Sequence, residues 1–266
     1  MDIANILLHL KIDGWHVEPR IIPIDEVDSV RKSVEKSSIP KGNPNQGVNS
    51  ETSLISKDQS LAPYLCHDGV LKVVESFIGQ HFKISFTTAI VNNPGNDRGV
   101  WHSDWPFNQN NAGHIQAPYH DAVTHLTTIW MLSPFSVETG GTLIVPGSHR
   151  SNNNPSGDMG IDPLKSYPTE MHATGDAGSV SFFDSRLWHA TATNLGDKPR
   201  VGVAVRFAPW WLNLDSLMPG SDTRKRMVEE PGPGIIEPEQ GLIPNDVFNN
   251  LPEKVKPMFR HWRTKH

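Results

Sequence analysis

The sequence predicts a mainly β protein, a jelly roll or β-sandwich braced by helices on its N-terminal side. Three observations lead there. Apolar residues recur at helical spacing through the first eighty positions, period-two alternation takes over from Phe82, and short Thr-, Val- and Ile-rich runs then follow one another between Gly- and Pro-bearing turns. That order suits a closed β architecture able to hold a small ligand at its mouth.

Ile3, Ile6, Leu7 and Leu10 share one face of an opening helix, which Asp13-Gly14 breaks, and Trp15 and Val17 mark a short extended piece. A second helix is expected after Pro23, with Asp25 as its cap and Val27, Val30 and Val34 as its buried stripe. From Ser37 to Ser60 the chain turns polar around Pro40, Gly42, Pro44 and Gly47, and reads as a long loop of the kind that serves as a flap. Val70, Leu71, Val74, Phe77 and Ile78 make a third helix stopped by Gly79. Phe82, Ile84 and Phe86 then alternate with Lys83, Ser85 and Thr87 in a strand reaching Val91, before Asn92-Asn93-Pro94-Gly95 turns the chain. Asn108 to Asp121 is a polar connection placed as a lid would be, and further strands are expected over 124–132, 142–146, 178–183, 188–193 and 200–207. The tail after Pro209 is Pro-rich, with a helical turn or two near Leu251 to Trp262. No linker divides the 266 residues, so one domain is expected: a helical part over about 1–80, a core over about 81–210 and an irregular tail over 211–266.

Composition narrows the function classes. The net charge of −5 is mild, and the only basic run, Arg224-Lys225-Arg226, reads as a solvated face, so nucleic acid is not an expected partner. No stretch has the length of a membrane span and the N-terminus lacks a signal peptide's apolar core, so a cytoplasmic location is expected. The single Cys66 excludes an internal disulfide and reads as a small buried hydrophobe.

The chemistry concentrates in Trp101-His102-Ser103-Asp104-Trp105-Pro106-Phe107. In an extended strand His102 and Asp104 point to the same side, so imidazole and carboxylate converge on one point. A His-x-Asp pair alone is weak among thirteen histidines, but the flanking aromatics would bury this one, and a buried carboxylate needs a cation. His189, in Trp188-His189-Ala190-Thr191, would supply a third ligand from a distant strand and complete a facial triad suited to Fe(II), Mn(II) or Zn(II).

These residues, together with Trp130, the run Gly141-Thr142-Leu143-Ile144-Val145-Pro146-Gly147-Ser148-His149-Arg150, and Arg200 eleven positions after His189, resemble the phytanoyl-CoA dioxygenase family of Fe(II)- and 2-oxoglutarate-dependent oxygenases. The resemblance runs from the opening helix to Phe207 and implies a double-stranded β-helix, the cupin-like jelly roll. It implies that His102, Asp104 and His189 ligate Fe(II), that Arg200 grips the distal carboxylate of 2-oxoglutarate, and that Thr191, Trp130 and Thr87 also contact this cosubstrate. A small organic substrate would then be hydroxylated by O₂ with release of succinate and CO₂. Relatives that halogenate lack the carboxylate found here as Asp104.

Trp105, Phe107, His125, Arg186 and Arg206 are candidates to line the substrate pocket; Arg206 shares the alternation of Arg200, with Asp184 as its alternative, structural partner. His114, His120, His149 and His172 lack the strand context of a ligand. Two other functions remain open at this point. A non-redox jelly-roll metal enzyme, an isomerase or hydrolase, would keep His102, Asp104 and His189 without needing Arg200 and Thr191, and a non-catalytic scaffold would need none of them intact.

Overall fold

The computed structural model describes residues 1–40, 47–104, 122–151, 155, 162–230 and 239–264. Helix α1 (Ile3–Ile12) starts where the Asp2 side chain accepts from the Asn5 N–H, buries Ile6 and Leu10, and ends before Gly14, whose φ of +82° lies in the left-handed region. Strand β1 (Trp15–Glu18) leads to α2 (Ile24–Ser37), which buries Val27, Val30 and Val34. The expected Asp25 cap is corrected. Pro23 holds the N-cap position without a side-chain bond, and Asp25 sits in the first turn, where its charge favours the helix dipole.

The expected 37–60 loop is also corrected. Strands β2 (Ile39–Pro40) and β3 (Val48–Thr52) lie within it, and β3 pairs antiparallel along the next long strand, β4 (Lys83–Asn92), after helix α3 (Asp68–Ile78). The remaining strands are β5 (Leu126–Met131), β6 (Leu143–Ile144), β7 (Met171–His172), β8 (Val180–Asp184), β9 (His189–Ala190) and β10 (Arg200–Ala208). Among the described residues they form a seven-stranded sheet in the order β1-β8-β5-β10-β4-β3-β2 and a three-stranded sheet in the order β7-β6-β9, with antiparallel pairing throughout. This is the expected jelly roll: a large and a small sheet with a cavity between them.

The two faces of the large sheet serve different ends. One face, with Val201, Val203 and Val205 of β10, Trp130 of β5 and Val180 and Phe182 of β8, joins a core shared with α1, α2 and α3. Tail residues enter the same core: Trp262 is fully buried and its indole N–H donates to the Ile84 carbonyl at 2.8 Å. The other face carries Arg200, Gly202, Ala204 and Arg206 and looks toward the small sheet. No helix among the described residues is long and apolar enough to cross a membrane.

Candidate metal centre

His102 and His189 are brought together by backbone pairing. Each donates its N–H to the other's carbonyl, at 3.0 and 2.9 Å, in an isolated antiparallel bridge that sets the imidazoles 4.2 Å apart, centroid to centroid. Both rings are held in one tautomer. Nδ1 of His102 lies 3.0 Å from the Val100 carbonyl and Nδ1 of His189 lies 2.9 Å from the Leu187 carbonyl; a carbonyl only accepts, so each Nδ1 carries the proton and each Nε2 keeps a free lone pair. Asp104 completes the cluster, with Oδ1 3.7 Å from His189 Nε2, and the ligand atoms of all three residues lie within 4.8 Å of one another. Among the described residues no other His, Cys, Asp and Glu side chains converge in this way.

The electrostatics suit a divalent cation. Burial works against charge on Asp104, but Arg206 and then the two imidazoles outweigh it and hold the carboxyl below the usual carboxylate range. Burial, followed by the neighbouring His189, pushes His102 down to about 4, so that at neutral pH its ring is the unprotonated ligand form.

Arg200 lines the same cavity, a space of about 130 Å³, with Thr191, Thr88, Ile90 and Ile129. Its guanidinium stacks 4.4 Å from the Phe135 ring centroid, its Nε is buried without a hydrogen-bond partner, and among the described residues no carboxylate pairs with it. The residue is 3% exposed, so it is no surface cation, and burial pushes its pKa down to about 9. A buried cation without a counter-charge is a seat for an anion.

Four expected contacts are corrected. Thr87 and Trp130 face the helical core: Thr87 Oγ1 bonds Gln240 and the Trp130 indole N–H donates to Thr128 Oγ1, because the cavity face is carried by the adjacent positions Thr88, Thr127 and Ile129. Arg186 pairs with Asp184 through Nε and Nη2 and is absent from the cavity wall. Consequently Asp184 is not the partner of Arg206, which faces the cavity as alternation implied and bonds Asp104. His125 is 1% exposed and lies behind the cavity, held between Ser85 and Ser185. His149 bonds the Lys11 carbonyl and His172 the Gly141 carbonyl, away from the cluster. Trp105, Phe107, His114, His120 and the expected 108–121 lid lie outside the described residues. Sequence reasoning missed Thr127, whose hydroxyl holds Asp104 Oδ2 at 2.7 Å. The only trace of it was a run of threonines on a buried strand.

Two histidines and one carboxylate converging on a jelly roll, beside a buried cation, are the kind of donor set that non-haem iron oxygenases use. The chain belongs to the phytanoyl-CoA dioxygenase family: the family model, Phytanoyl-CoA dioxygenase (PhyH), matches residues 22–202, and the family uses Fe(II) and 2-oxoglutarate. Among curated proteins it is similar to the uncharacterized protein Rv1501 of Mycobacterium tuberculosis, 33% identical over 85 residues, which are 32% of this chain and 29% of that one. It is also similar to dioxygenase af480 of Aspergillus fumigatus, 25% identical over 73% of this chain and 63% of the relative. The matches therefore span less than two thirds of these relatives' length. Among solved structures, HygX from Streptomyces hygroscopicus with nickel, 2-oxoglutarate and hygromycin B bound superimposes with a TM-score of 0.67 at 18% identity, covering 88% of this chain and 96% of that one. The alpha-ketoglutarate-dependent epimerase SnoN from nogalamycin biosynthesis superimposes with a TM-score of 0.63 at 18% identity, covering 82% and 88%.

Proposed function

We propose that this chain is an Fe(II)- and 2-oxoglutarate-dependent dioxygenase that hydroxylates a small organic molecule, acting as one catalytic domain over residues 1–266. The observation that carries this is the buried guanidinium of Arg200, without a carboxylate partner among the described residues, in the same cavity as the free Nε2 atoms of His102 and His189 and the carboxylate of Asp104. A non-redox metal enzyme would have no use for that cation. Both the donor set and the anion seat fit the metal and the cosubstrate.

The chemistry supplied by iron and 2-oxoglutarate when bound is oxidation of a C–H bond by O₂, with the cosubstrate leaving as succinate and CO₂. Each residue has a definite task in support of it. His102, Asp104 and His189 would hold the metal with three protein donors, fewer than its full ligand set, so that the cosubstrate could bind it as well. The Arg200 fork receives the distal carboxylate of 2-oxoglutarate, and the Thr191 hydroxyl, on the same cavity wall, adds a neutral donor. Ile90, Ile129 and Ala204 give that wall its apolar part, against which a substrate's hydrocarbon could pack. Trp105 and Phe107, next to the metal edge in sequence, are our candidates to meet the substrate. Asp104 occupies the position that a halide would require, which favours hydroxylation over halogenation, and SnoN-like epimerisation is the alternative outcome on the same scaffold.

The test is an anaerobic titration with Fe(II) and 2-oxoglutarate, followed by the visible metal-to-cosubstrate charge-transfer band. Wild type should develop the band, and Arg200→Ala should need at least tenfold more cosubstrate, the loss of a bidentate charge-assisted pair being worth about 1.5–3 kcal/mol. A folded, iron-loaded wild type with no band would overturn the assignment.

A further inference from the structure

Behind Asp104, four side chains, of which only Thr127 reaches the cavity wall, form one continuous hydrogen-bonded file. Thr127 Oγ1 lies 2.7 Å from Asp104 Oδ2, Ser185 Oγ 2.9 Å from Thr127 Oγ1, His125 Nδ1 3.0 Å from Ser185 Oγ, and Ser85 Oγ 2.6 Å from His125 Nε2. All four residues are 1% exposed or less. The backbone holds them in register: the Asp104 N–H donates to the Ser185 carbonyl at 2.8 Å, and the Ser185 N–H to the His125 carbonyl at 3.3 Å. A β-bulge sets the far end. Arg206 pairs with Phe86 and Phe207 with Ile84, so Ser85 is the extra residue of β4, and its hydroxyl turns to His125.

The chemistry of the groups fixes the direction of every bond. An ionised carboxylate only accepts, so the Thr127 hydroxyl donates its single proton to Oδ2. Thr127 therefore accepts from Ser185, and Ser185, its own proton committed, accepts from His125. His125 must carry its proton on Nδ1. Burial pushes its pKa down to about 3, so the ring is neutral, Nε2 is bare, and Ser85 donates to it. The 3.2 Å approach of Ser85 Oγ to the Arg206 carbonyl competes for that same proton and yields to the shorter contact. All the protons point toward Asp104.

We propose, taking the metal cluster as proposed above, that Ser85, His125, Ser185 and Thr127 are a positioning file for Asp104. The file binds Oδ2 and so leaves Oδ1, which Arg206 Nη2 bonds in the metal-free protein, as the oxygen available to a metal beside His189 Nε2. A carboxylate free to rotate would close on the metal with both oxygens and take a coordination position that the cosubstrate or O₂ requires. His125 acts through two hydroxyls and touches neither metal nor substrate.

Two measurements test the file. Nitrogen-15 NMR of the metal-free protein should show His125 as the Nδ1–H tautomer; the Nε2–H tautomer would overturn the proposal, and this readout needs no metal. Calorimetric titration with Co(II) should show Thr127→Val binding about tenfold more weakly, as expected for loss of a group that orients a ligand. Thr127→Ser should restore affinity, and Thr127→Val/Ser185→Ala should bind no more weakly than Thr127→Val, because the file is cut once in both. Unchanged affinity, or losses that simply add, would overturn the file. Ser185→Ala and Thr127→Ser alter little buried volume, so they carry the comparison even where Thr127→Val does not fold. A wild type that binds no metal would refute the metal site instead, with the His125 tautomer still deciding the hydrogen-bond direction.

Discussion

The guanidinium of Arg206 and the carboxylate of Asp104, 102 positions apart in the chain, form an ion pair inside the cavity, with the guanidinium 4.8 Å from the Phe86 ring centroid. In the metal-free protein Arg206 is thus the cation that compensates a carboxylate only 5% exposed. Arg206→Gln leaves that carboxylate uncompensated and should destabilise the metal-stripped protein by about 3 kcal/mol at pH 7. The sign of the pH dependence follows from Asp104, whose folded pKa lies below its ordinary 3.8. The stabilisation is complete above that value and is lost as the pH falls through the folded pKa. Urea unfolding at pH 7 and pH 3 should therefore show a smaller gap between wild type and variant at the lower pH. An equal gap at both would mean that Arg206 acts through packing rather than charge.

Gly202 underlies the ring on which Arg200 rests. A Cβ there would stand 2.8 Å from Phe135 Cζ, and Phe135 is the ring on which the Arg200 guanidinium rests. Gly202→Ala should cost about 1–3 kcal/mol of stability through overpacking and also weaken 2-oxoglutarate binding, since the ring has to shift. Thermal unfolding and a cosubstrate titration on the same sample separate the two effects. Lost stability with unchanged cosubstrate affinity would show that Phe135 does not support Arg200.

His125 makes stability depend on pH in a range where few groups titrate. Its folded pKa of about 3 lies below the ordinary 6.5, so the unfolded chain takes up the proton first and stability falls as pH drops below 6.5. By pH 5 the loss from this one buried group is about 2 kcal/mol. His125→Asn keeps a donor where Nδ1–H lies and cannot titrate. Its unfolding free energy should decline less than that of wild type between pH 7 and pH 5, and parallel declines would refute the assignment.

The convergence of His102, Asp104 and His189 was legible in the sequence because its signal is local: His-x-Asp on an extended segment, and one more histidine in a strand eleven residues before an arginine. Which face a buried strand turns to the cavity was harder to read. All six residues of β5 are buried, so hydrophobicity does not mark the face, and a shift of one position separates Trp130 from Ile129. In β4 the bulge at Ser85 breaks the alternation, which puts Phe86 beside Arg206 while Ile84 faces the core. Strand β3 left no signal in the sequence because Val-Asn-Ser-Glu-Thr has no apolar face to reveal it. The Ser85–His125–Ser185–Thr127 file was invisible for a different reason. Its members come from three separate segments, and hydroxyl residues gain meaning only when folding places them end to end.

Arg200 offers the sharpest separation of stability from function. Its charge sits 3% exposed against Phe135, and burial alone pushes its pKa down to about 9 from an ordinary 12.5. A folded pKa below the unfolded one means that the protonated side chain costs the folded state free energy throughout the neutral range. Arg200→Met keeps length and removes that charge, so the cosubstrate-free variant should be more stable than wild type by about 1 kcal/mol, in line with apolar replacement of other buried ions. Addition of 2-oxoglutarate and metal should reverse the order. At about a hundred times its dissociation constant a ligand stabilises the folded state by about 2.7 kcal/mol, a gain open to wild type and closed to Arg200→Met. Arg200→Lys, with the charge but not the planar fork, should fall between them in cosubstrate affinity. Thermal unfolding of the three proteins with and without cosubstrate is sufficient to decide the matter. If Arg200→Met proves less stable than wild type in the absence of 2-oxoglutarate, the guanidinium already has a structural partner, and the anion seat loses its physical basis.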